Sequence, residues 1–355
     1  MEKKTIAVLF GGQSSEHVVS CMSAANVVEQ IDTDKYNLLL IGITEDGHWL
    51  KAPSLDSIRD GSWRESKAEA VILPDATKKC ALIKEGSSWQ EIAIDGAFPV
   101  LHGLYGEDGT VQGLFELARI PYVGCGVLAS AVCMDKAVAN TLMDAAGIDR
   151  CAWDWASRHD CADFDALEAR LAEKLHYPIF VKPANAGSSV GISKASNRAE
   201  LEKAIQVALA EDNKVVFERF VQGQEVECAV IGNQVCVSTR PGEILASEAF
   251  YTYEDKYVLG TSRTVIPAHL SEDVLDRVKA QAEKAYRALG CEGLARVDFF
   301  VENGDTILLN EINTLPGFTS ISMYPKLMED AGKPIDQLLD ELIGLALARA
   351  GVRHG

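Results

Sequence analysis

Residues 295–320 read ARVDFFVENGDTILLNEINTLPGFTS, with Asn303-Gly304 between two apolar runs. An Asn-Gly pair flanked by such runs is the strongest short-range sequence signal for a β-hairpin. If these two residues form a two-residue turn, Glu302 pairs with Asp305 and the rest of the register follows. The stretch therefore predicts two antiparallel strands whose pairing is fixed by the turn.

This register sorts the side chains of the hairpin onto two faces, because side chains alternate along a strand and cross-strand partners share a face. Arg296 then lies opposite Glu311, and Asp298 lies opposite Leu309. Asp298 and Glu311 become diagonal neighbours, roughly 7 Å apart between their Cα atoms. The polar face carries Arg296, Asp298, Glu311 and Asn313, and the core face carries Val297, Phe299, Val301, Leu308 and Ile312.

Two carboxylates and an amide oxygen on the polar face predict a divalent-metal site. Oxygen donors of this kind suit magnesium that also contacts phosphates, and zinc is a poor fit because the set contains no histidine or cysteine. The alternative is a solvated polar face on which Arg296 and Glu311 form an ordinary cross-strand pair. The Leu-Pro-Gly-Phe segment at 315–318 favours the metal site, because its composition is not typical of a solvated loop.

Composition limits the classes of function. At 355 residues the chain is too long for one ordinary core, and 47% hydrophobic with 24% charged residues is ordinary for a globular protein. A net charge of -18 repels nucleic-acid phosphates and anionic lipids, so we expect no nucleic-acid partner. No apolar stretch approaches the ~18 residues of a membrane helix, and the first residues enter a strand directly, so neither membrane insertion nor a signal peptide is expected. Nine cysteines without a CxxC pair indicate a reducing cytoplasm.

The first third of the chain alternates strands with helices, which predicts a parallel sheet with helices on its faces. From residue 124 the pattern changes, and two further units follow. We therefore divide the chain into domains 1–124, 125–221 and 222–355, the last with a long loop at 247–264. The predicted strands include 5–10, 37–44, 97–103 and 179–182, and the predicted helices are 21–31, 112–120, 130–146, 163–175, 199–210, 271–289 and 334–349.

Lys182 places a charge at the end of the apolar strand 179–182, where a buried lysine is costly unless it is paired. The small residues AGSSVG at 186–191 follow and allow backbone N–H groups to close around an anion. Together they predict a clamp for nucleotide phosphates, although the GxxxxGK[ST] pattern of a P-loop is missing. A lysine that snorkels to the surface from an edge strand is the alternative.

The opening stretch GGQSSEHVVS, residues 11–20, lies between a predicted strand and a predicted helix. Strand, glycine turn and helix often hold a phosphate, but Glu16 lies where a phosphate would be repelled. An acid favoured by the dipole at a helix N-terminus is the alternative to a binding role. A dinucleotide-dependent oxidoreductase or nucleotide sensor would show GxGxxG at this place instead.

Six motifs in order make the chain similar to the D-alanine–D-alanine ligase family of the ATP-grasp superfamily, over nearly its whole length. The motifs are GGQSSEHVVS (11–20), LHGLYGEDGTVQG (101–113), MDK (134–136), FVKPANAGSSVGI (180–192), EDKY (254–257) and RVD with NEINTLPGFTSISMYP (within 296–325). The chain also resembles the D-alanine–D-serine ligases of vancomycin resistance. The resemblance implies an α/β protein of the ATP-grasp fold, in which an N-terminal parallel-sheet domain is followed by two α+β domains that clasp ATP.

The resemblance also implies a set of nucleotide and metal ligands. Arg219 and Val221 stand where many members carry lysine and leucine, which should matter little because the backbone makes most of those contacts. Two magnesium ions are expected, with Mn²⁺ able to substitute. The implied contacts are Lys136, Lys182 and Lys256 with phosphates, Glu218, Arg219 and Val221 near adenine, Glu225 with ribose, and Asp298, Glu311 and Asn313 with magnesium.

For the amino-acid substrates, the resemblance assigns the ammonium group of the first D-alanine to Glu16, with Gly11 and Gly12 giving that substrate room beside the backbone. Met323 stands where D-serine ligases commonly carry arginine, so it favours D-alanine as the second substrate. The other implied roles are Ser188 and Tyr257 as hydrogen-bond partners of Glu16, His102 near the first carboxylate, Ser322 at the second carboxylate, and Arg296 with the Gly317 N–H on the oxyanion.

The expected reaction is ATP-dependent formation of D-alanyl-D-alanine through an acyl phosphate, for peptidoglycan precursors. Formation of D-alanyl-D-serine stays open as the alternative. The loop 247–264 is expected to act as a lid that keeps water from the acyl phosphate. By analogy with the family, we expect a homodimer.

Overall fold

The computed structural model of the chain describes residues 3–187, 190–245 and 263–354. Three sheets follow one another along this chain. The first sheet has seven strands in the order β6-β5-β4-β3-β2-β1-β7. Its strands are β1 (Lys4–Gly11), β2 (Tyr36–Ile43), β3 (Trp49–Lys51), β4 (Glu69–Ile72), β5 (Cys80–Glu85), β6 (Ser88–Ala93) and β7 (Gly96–Leu101).

The expectation of a parallel first sheet is correct for β1, β2 and β7 and wrong for the other strands. β1 pairs in parallel with β2 and with β7, whereas β2 to β6 are joined antiparallel. Antiparallel neighbours need only short turns, while a parallel pair needs a crossover connection such as a helix. The short turn between β5 and β6 leaves no room for such a helix, and β3 pairs antiparallel with β4 although a short helix (Leu55–Asp60) lies between them, so the segment 49–93 breaks the expected alternation.

The second sheet has four strands, all antiparallel, in the order β10-β9-β11-β8. The third sheet has six strands in the described residues, with β15-β14-β12-β16-β17 in order and β13 paired to β12. The remaining strands are β8 (Trp153–Ser157), β9 (Ile179–Pro183), β10 (Ser193–Ala195), β11 (Lys214–Arg219), β12 (Gly223–Gly232), β13 (Cys236–Ser238), β14 (Gly242–Leu245), β15 (Arg263–Val265), β16 (Gly293–Glu302) and β17 (Thr306–Asn313).

The predicted helix over 130–146 is two helices. Asp135 interrupts it with an extended backbone (φ -84°, ψ 98°), and its Oδ1 accepts the N–H groups of Ala137 and Val138 as an N-cap. The helices are α1 (His17–Gln30), α2 (Leu55–Asp60), α3 (Thr110–Ala118), α4 (Val127–Met134), α5 (Lys136–Ala145), α6 (Phe164–Ala172), α7 (Arg198–Glu211), α8 (Glu272–Ala288), α9 (Met323–Asp330) and α10 (Ile335–His354), with 3-10 turns at Ser62–Glu65 and Asp160–Ala162. None of the helices in the described ranges has the length and apolarity needed to cross a bilayer.

The hairpin of β16 and β17 forms, but the predicted register is wrong. Glu302 pairs with Thr306, because Asp305 belongs to the turn, and Arg296 pairs with Asn313 instead of Glu311. A β-bulge next to Asp298 shifts the register by one more residue. As a result, Asp298 lies directly opposite Glu311.

The longer turn also changes which side chains reach the core. Leu308 pairs with Phe300, so it leaves the predicted core face. Ile307 and Leu309 are instead buried in the same core cluster as Val297. The bulge then reverses the alternation once more, so Glu311, Ile312 and Asn313 return to their predicted faces.

The first and third sheets share one core. Val27 of α1 and Phe98 of β7 belong to the same buried cluster as Phe318 and Tyr324, which follow β17. Phe318 packs edge-on against Phe98, with ring centroids 6.0 Å apart. The segment after the hairpin is therefore anchored against the N-terminal unit, while the second sheet encloses a separate cluster.

Gly11 ends β1 in a conformation that a side chain would strain. Its φ is +84°, and a Cβ there would lie 2.2 Å from the Ile43 carbonyl oxygen. We expect Gly11→Ala to lower the free energy of unfolding by about 3 kcal/mol, since backbone strain and a fixed main-chain clash add. Gly304→Ala is the matched control: at φ +82° its Cβ has no neighbour within 4 Å among the described residues, so it should cost about 1 kcal/mol. Urea denaturation measures both, and equal losses would contradict the clash argument.

Candidate functional site

A cavity of about 1010 Å³ lies where the three sheets meet, and most of the predicted site residues line it. Asp298 is not among the lining residues and is buried beside them. Ser188, Lys256 and Tyr257 lie outside the described residues. The predicted residues in the cavity wall are Glu16, His102, Lys136, Lys182, Glu218, Arg219, Val221, Glu225, Arg296, Glu311, Asn313, Gly317, Ser322 and Met323.

Three carboxylates form a row across neighbouring strands of the third sheet. Asp298 on β16 pairs with Glu311 on β17 and, on its other side, with Glu227 on β12. Cross-strand partners share a face, so all three belong to the polar face of the sheet. Sequence reasoning missed Glu227. It lies two residues after Glu225 on the same strand, and residues two apart on a strand point to the same face.

Arg296 is held between two of these carboxylates. Its Nε and terminal nitrogen donate to Asp298 Oδ1 and Oδ2 at 2.8 and 2.7 Å, and its Nε lies 3.0 Å from Glu227 Oε2. Asn313 Nδ2 donates to Asp298 Oδ2 at 2.9 Å. A bidentate arginine–carboxylate pair fixes the plane of the guanidinium group. The orientation of the Arg296 guanidinium at the cavity wall is therefore fixed.

The polar face suits a hard divalent cation. In the described residues, no three His, Cys, Asp or Glu side chains form a metal-binding group by themselves. Asp298 and Glu311 with the Asn313 amide could hold such a cation, and a set of this size leaves coordination positions for water or phosphate oxygens, as magnesium prefers. Because Asp298 and Glu311 are direct neighbours, the structure brings them closer together than the predicted diagonal arrangement.

Lys182 is largely buried, with its side chain 12% exposed, and it is paired, as its place in the sequence required. Its Nζ lies 2.6 Å from Glu218 Oε2 and 3.5 Å from the oxygen of Asn310, the residue at the bulge. Burial lowers the pKa of Lys182, but the Glu218 carboxylate, with help from Glu311, raises it above its ordinary value overall. β9 is flanked by β10 and β11, so a lysine that snorkels from an edge strand is excluded.

Lys136 connects the glycine-rich loop to the polar face. Its Nζ donates to the Ala186 carbonyl at 2.9 Å and lies 3.9 Å from Glu311 Oε2. Lys136 is the first residue of α5, so the break at Asp135 decides where its side chain starts. Two ammonium groups, from Lys136 and Lys182, thus face the same region as the Asp298–Glu311 pair.

Glu16 forms the other end of the cavity, before the first turn of α1. It is 9% exposed, and glycines from two segments approach it closely. A Cβ added at Gly103 or Gly187 would lie 2.7 or 2.6 Å from Glu16 Oε2. The expectation that Gly11 and Gly12 line the substrate site is wrong: neither residue is part of the cavity wall, and Gly11 packs on the backbone of β2.

His102 is buried, and both of its ring nitrogens have partners in the protein. Nδ1 lies 3.0 Å from the Leu315 carbonyl oxygen, and Nε2 lies 3.3 Å from Ser23 Oγ. Burial lowers the pKa of His102, so the ring is neutral at pH 7. A neutral ring donates from Nδ1 to Leu315, because a carbonyl can only accept, and Nε2 accepts from the serine hydroxyl.

Glu107 is a second acid in this region that sequence reasoning missed. Its Oε2 accepts the Gly103 N–H at 2.8 Å, and its Oε1 accepts the Leu315 N–H at 3.1 Å. Burial and the nearby Glu16 carboxylate raise the pKa of Glu107 to about 8, although its two hydrogen bonds act in the opposite direction.

The segment after the hairpin places Gly317, Ser322 and Met323 together. A Cβ on Gly317 would lie 2.8 Å from Ser322 Oγ, and that hydroxyl accepts the Thr319 N–H at 3.0 Å. Met323 begins α9 and is 5% exposed. The cavity wall thus offers a backbone N–H, a hydroxyl and an apolar side chain side by side.

Comparison with known proteins gives one consistent result. Family models described as "D-ala D-ala ligase N-terminus" and "D-ala D-ala ligase C-terminus" match residues 5–125 and 142–344. The chain is 48% identical to a D-alanine–D-alanine ligase of Acetivibrio thermocellus, over 98% of this chain and 97% of that protein. It is 47% identical to one of Caldicellulosiruptor bescii, over 98% and 96%.

Two solved structures are also similar. The VanG D-Ala:D-Ser ligase from Enterococcus faecalis superposes with a TM-score of 0.89 at 41% identity, covering 97% of this chain and 100% of that one. The D-alanine–D-alanine ligase from Coxiella burnetii gives a TM-score of 0.86 at 35% identity, covering 99% and 96%.

Proposed function

This chain belongs to the D-alanine–D-alanine ligase family, and with that membership as the premise we propose how its own residues carry out the reaction. The protein has the ATP-grasp fold, so the predicted family and fold are confirmed. It is an ATP-dependent ligase that joins two D-alanines to D-alanyl-D-alanine for peptidoglycan synthesis, and it uses a divalent metal ion.

The observation that supports these residue roles is the shared cavity. Glu16 at one end and Glu311 with two lysines at the other line the same wall. One end suits the ammonium group of an amino acid, and the other suits a metal–triphosphate. An amino-acid carboxylate held between them lies next to the phosphate that must be transferred, which is the arrangement that phosphoryl transfer requires.

At the nucleotide end, Lys136 and Lys182 bind phosphate oxygens, and Glu225 binds the ribose. The adenine lies beside the strand that carries Glu218, with Arg219 and Val221 making backbone contacts. Asp298, Glu311 and Asn313 hold two magnesium ions, for which Mn²⁺ can substitute. When bound, magnesium offsets the charge that develops on the phosphates.

At the amino-acid end, Glu16 binds the ammonium group of the first D-alanine, and His102 lies near its carboxylate. That carboxylate attacks the γ-phosphorus of ATP, and ADP leaves, which gives an acyl phosphate. Ser322 binds the carboxylate of the second D-alanine. Its amine loses a proton and attacks the acyl carbon, and inorganic phosphate leaves.

The tetrahedral oxyanion of the second step is stabilised by Arg296 and by the Gly317 N–H, as in an oxyanion hole. Glu227 supports this role, because it gives Arg296 a second carboxylate besides Asp298. Arg296 therefore keeps a partner on the sheet when Asp298 serves as a metal ligand.

Several further parts of the proposal rest on the family resemblance or on the sequence alone. Ser188 and Tyr257 tie Glu16 to the loops that close over it, and Lys256 adds a phosphate contact from the lid loop 247–264. We also propose the domain division at 124/125 and 221/222 and a homodimer without nucleic-acid partners. A cytoplasmic location is proposed from the cysteine pattern.

The choice of second substrate gives a direct test. With ATP, Mg²⁺ and equal D-alanine and D-serine, we expect D-alanyl-D-alanine as the main product, with one ADP per dipeptide, because the buried Met323 favours a methyl side chain over a hydroxymethyl. Mass spectrometry of the product and coupled ADP release measure both quantities. A main product of D-alanyl-D-serine would assign the chain to the D-serine ligases, and no ADP release with D-alanine, D-serine or D-lactate would contradict the ligase function.

A further inference from the structure

We propose that Ser23, Asn26, His102 and Glu107 are positioning residues that hold the Gly317 N–H in place for the second half of the reaction. We call these four side chains the cradle. The inference rests on the role proposed above for Gly317. The cradle residues come from the N-terminal part of the chain, whereas the segment they hold, 315–318, follows the hairpin of the third sheet.

The cradle binds the backbone on both sides of Pro316-Gly317. On the near side, the Leu315 N–H donates to Glu107 Oε1 at 3.1 Å, and the Leu315 carbonyl lies 3.0 Å from His102 Nδ1. Both main-chain groups of one residue are therefore held by side chains from a single segment, 102–107. That arrangement fixes the orientation of the peptide plane as well as its position.

The far side is held from α1. The Phe318 N–H donates to Ser23 Oγ at 3.2 Å, and Asn26 Nδ2 donates to the Phe318 carbonyl at 2.7 Å. The Ser23 hydroxyl also lies 3.3 Å from His102 Nε2, so the two sides are joined. With a neutral His102, each hydrogen bond has one donor and one acceptor. The Phe318 N–H donates to Ser23 Oγ, and the Ser23 hydroxyl donates to His102 Nε2.

This pattern selects Gly317 by elimination within the segment. Pro316 has no N–H, and the N–H groups of Leu315 and Phe318 are taken by Glu107 and Ser23. The N–H of Gly317 is the remaining one in 315–318, and Gly317 lines the cavity. A preorganised donor stabilises the transition state only when it is correctly placed. A misplacement of about 1 Å can lower the rate as much as 100-fold.

Glu107 is the best residue for a test, because both of its oxygens accept backbone N–H groups when it is ionised. Both rates are therefore measured at about pH 9, above its pKa of about 8. Glutamine at this place keeps one acceptor and turns an NH₂ group toward the other N–H. One of the two bonds, to Gly103 or to Leu315, is then lost, while the volume of the side chain is unchanged. We expect kcat for dipeptide formation in Glu107→Gln to fall about tenfold.

A second measurement separates the two half-reactions. Reversible formation of the acyl phosphate moves an ¹⁸O label from the β,γ-bridge of ATP to a non-bridging position, because the β-phosphate of bound ADP rotates before the reaction reverses. This exchange needs the first D-alanine and does not need the second step. We expect the exchange rate in Glu107→Gln to stay within about twofold of wild type, so the ratio of exchange to dipeptide rises.

Asp108→Asn is the matched control. Asp108 accepts the N–H groups of Tyr105 and Thr110 at 2.8 and 3.0 Å, inside the same loop, so its change alters the loop without altering the bond to Leu315. Both rates should stay close to wild type. If Glu107→Gln fails to fold, Ser23→Ala provides the same test from α1.

Two results would overturn the cradle proposal. Unchanged dipeptide formation in Glu107→Gln would mean that the bond to Leu315 is not needed, and equal losses of exchange and dipeptide formation would place Glu107 in the first step or in the fold. The absence of D-alanine-dependent exchange in the wild-type protein would instead contradict the proposed acyl phosphate, so failure of the reaction scheme and failure of the cradle are distinguishable.

Discussion

Replacing Lys182 with methionine is expected to lower kcat about 100-fold, the effect of removing one preorganised charge from a transferring phosphoryl group. The Lys182 ammonium group lies in the cavity wall beside Glu218 and the bulge residue Asn310. Methionine fills a similar volume and removes only the charge and the donors. Steady-state ADP release with saturating D-alanine measures the loss.

The same replacement has a structural effect that must be separated from the catalytic one. It leaves the Glu218 carboxylate buried without its lysine, which should lower the free energy of unfolding by about 3 kcal/mol. The double variant Lys182→Met/Glu218→Gln removes that buried charge, so it should recover most of the stability and almost none of the turnover. Near-normal ADP release by either variant would remove Lys182 from the phosphate site.

A matched lysine–glutamate pair away from the cavity provides the control. Lys84 on β5 pairs with Glu69 on β4 at 2.9 Å, and both side chains are well exposed to solvent, at 37% and 55%. Lys84→Met should leave kcat unchanged and cost less than about 1 kcal/mol of stability, because exposed ion pairs contribute little.

The sequence predicted the chemistry of the site better than its geometry. Asp298, Glu311 and Asn313 could be placed on one face because alternation along a strand and the Asn-Gly turn are local signals. The register itself depended on whether Asp305 joins the turn and on a bulge at Asn310. Small free-energy differences decide whether Asp305 joins the turn and whether the bulge forms. The alternation of apolar and polar residues along a strand does not report these differences.

Contacts between distant segments were the hardest to predict. The pairing of Lys182 with Glu218 follows from two adjacent strands, so a charge at the end of each strand is a usable signal. The bond from Glu107 to Leu315 joins positions 208 residues apart. Only the shared core of the first and third sheets brings them together, and no local pattern in LHGLYGEDG marks which of its acids turns inward.

Replacing Glu311 with glutamine is expected to have the largest effect of all, a loss in kcat of about 1000-fold, because a metal ligand supports several kcal/mol of transition-state stabilisation. Glu311 pairs directly with Asp298 across the hairpin. Glutamine keeps the size and one oxygen but removes the negative charge that a divalent cation requires. Turnover with Mg²⁺ and binding of Mn²⁺ in the presence of ADP, measured by calorimetry, report on this change.

Mn²⁺ binding decides between two roles for Glu311, since its Oε2 also lies 3.9 Å from Lys136 Nζ. If Glu311 is a metal ligand, Mn²⁺ should bind at least about tenfold more weakly to Glu311→Gln. If Glu311 only orients Lys136, Mn²⁺ affinity should stay unchanged while the KM for ATP rises. Asp305→Asn, an exposed acid at the turn of the same hairpin, should change neither quantity. Unchanged Mn²⁺ affinity in Glu311→Gln would therefore remove the metal from this face of the sheet and leave the row of carboxylates as a support for Arg296 and Lys136.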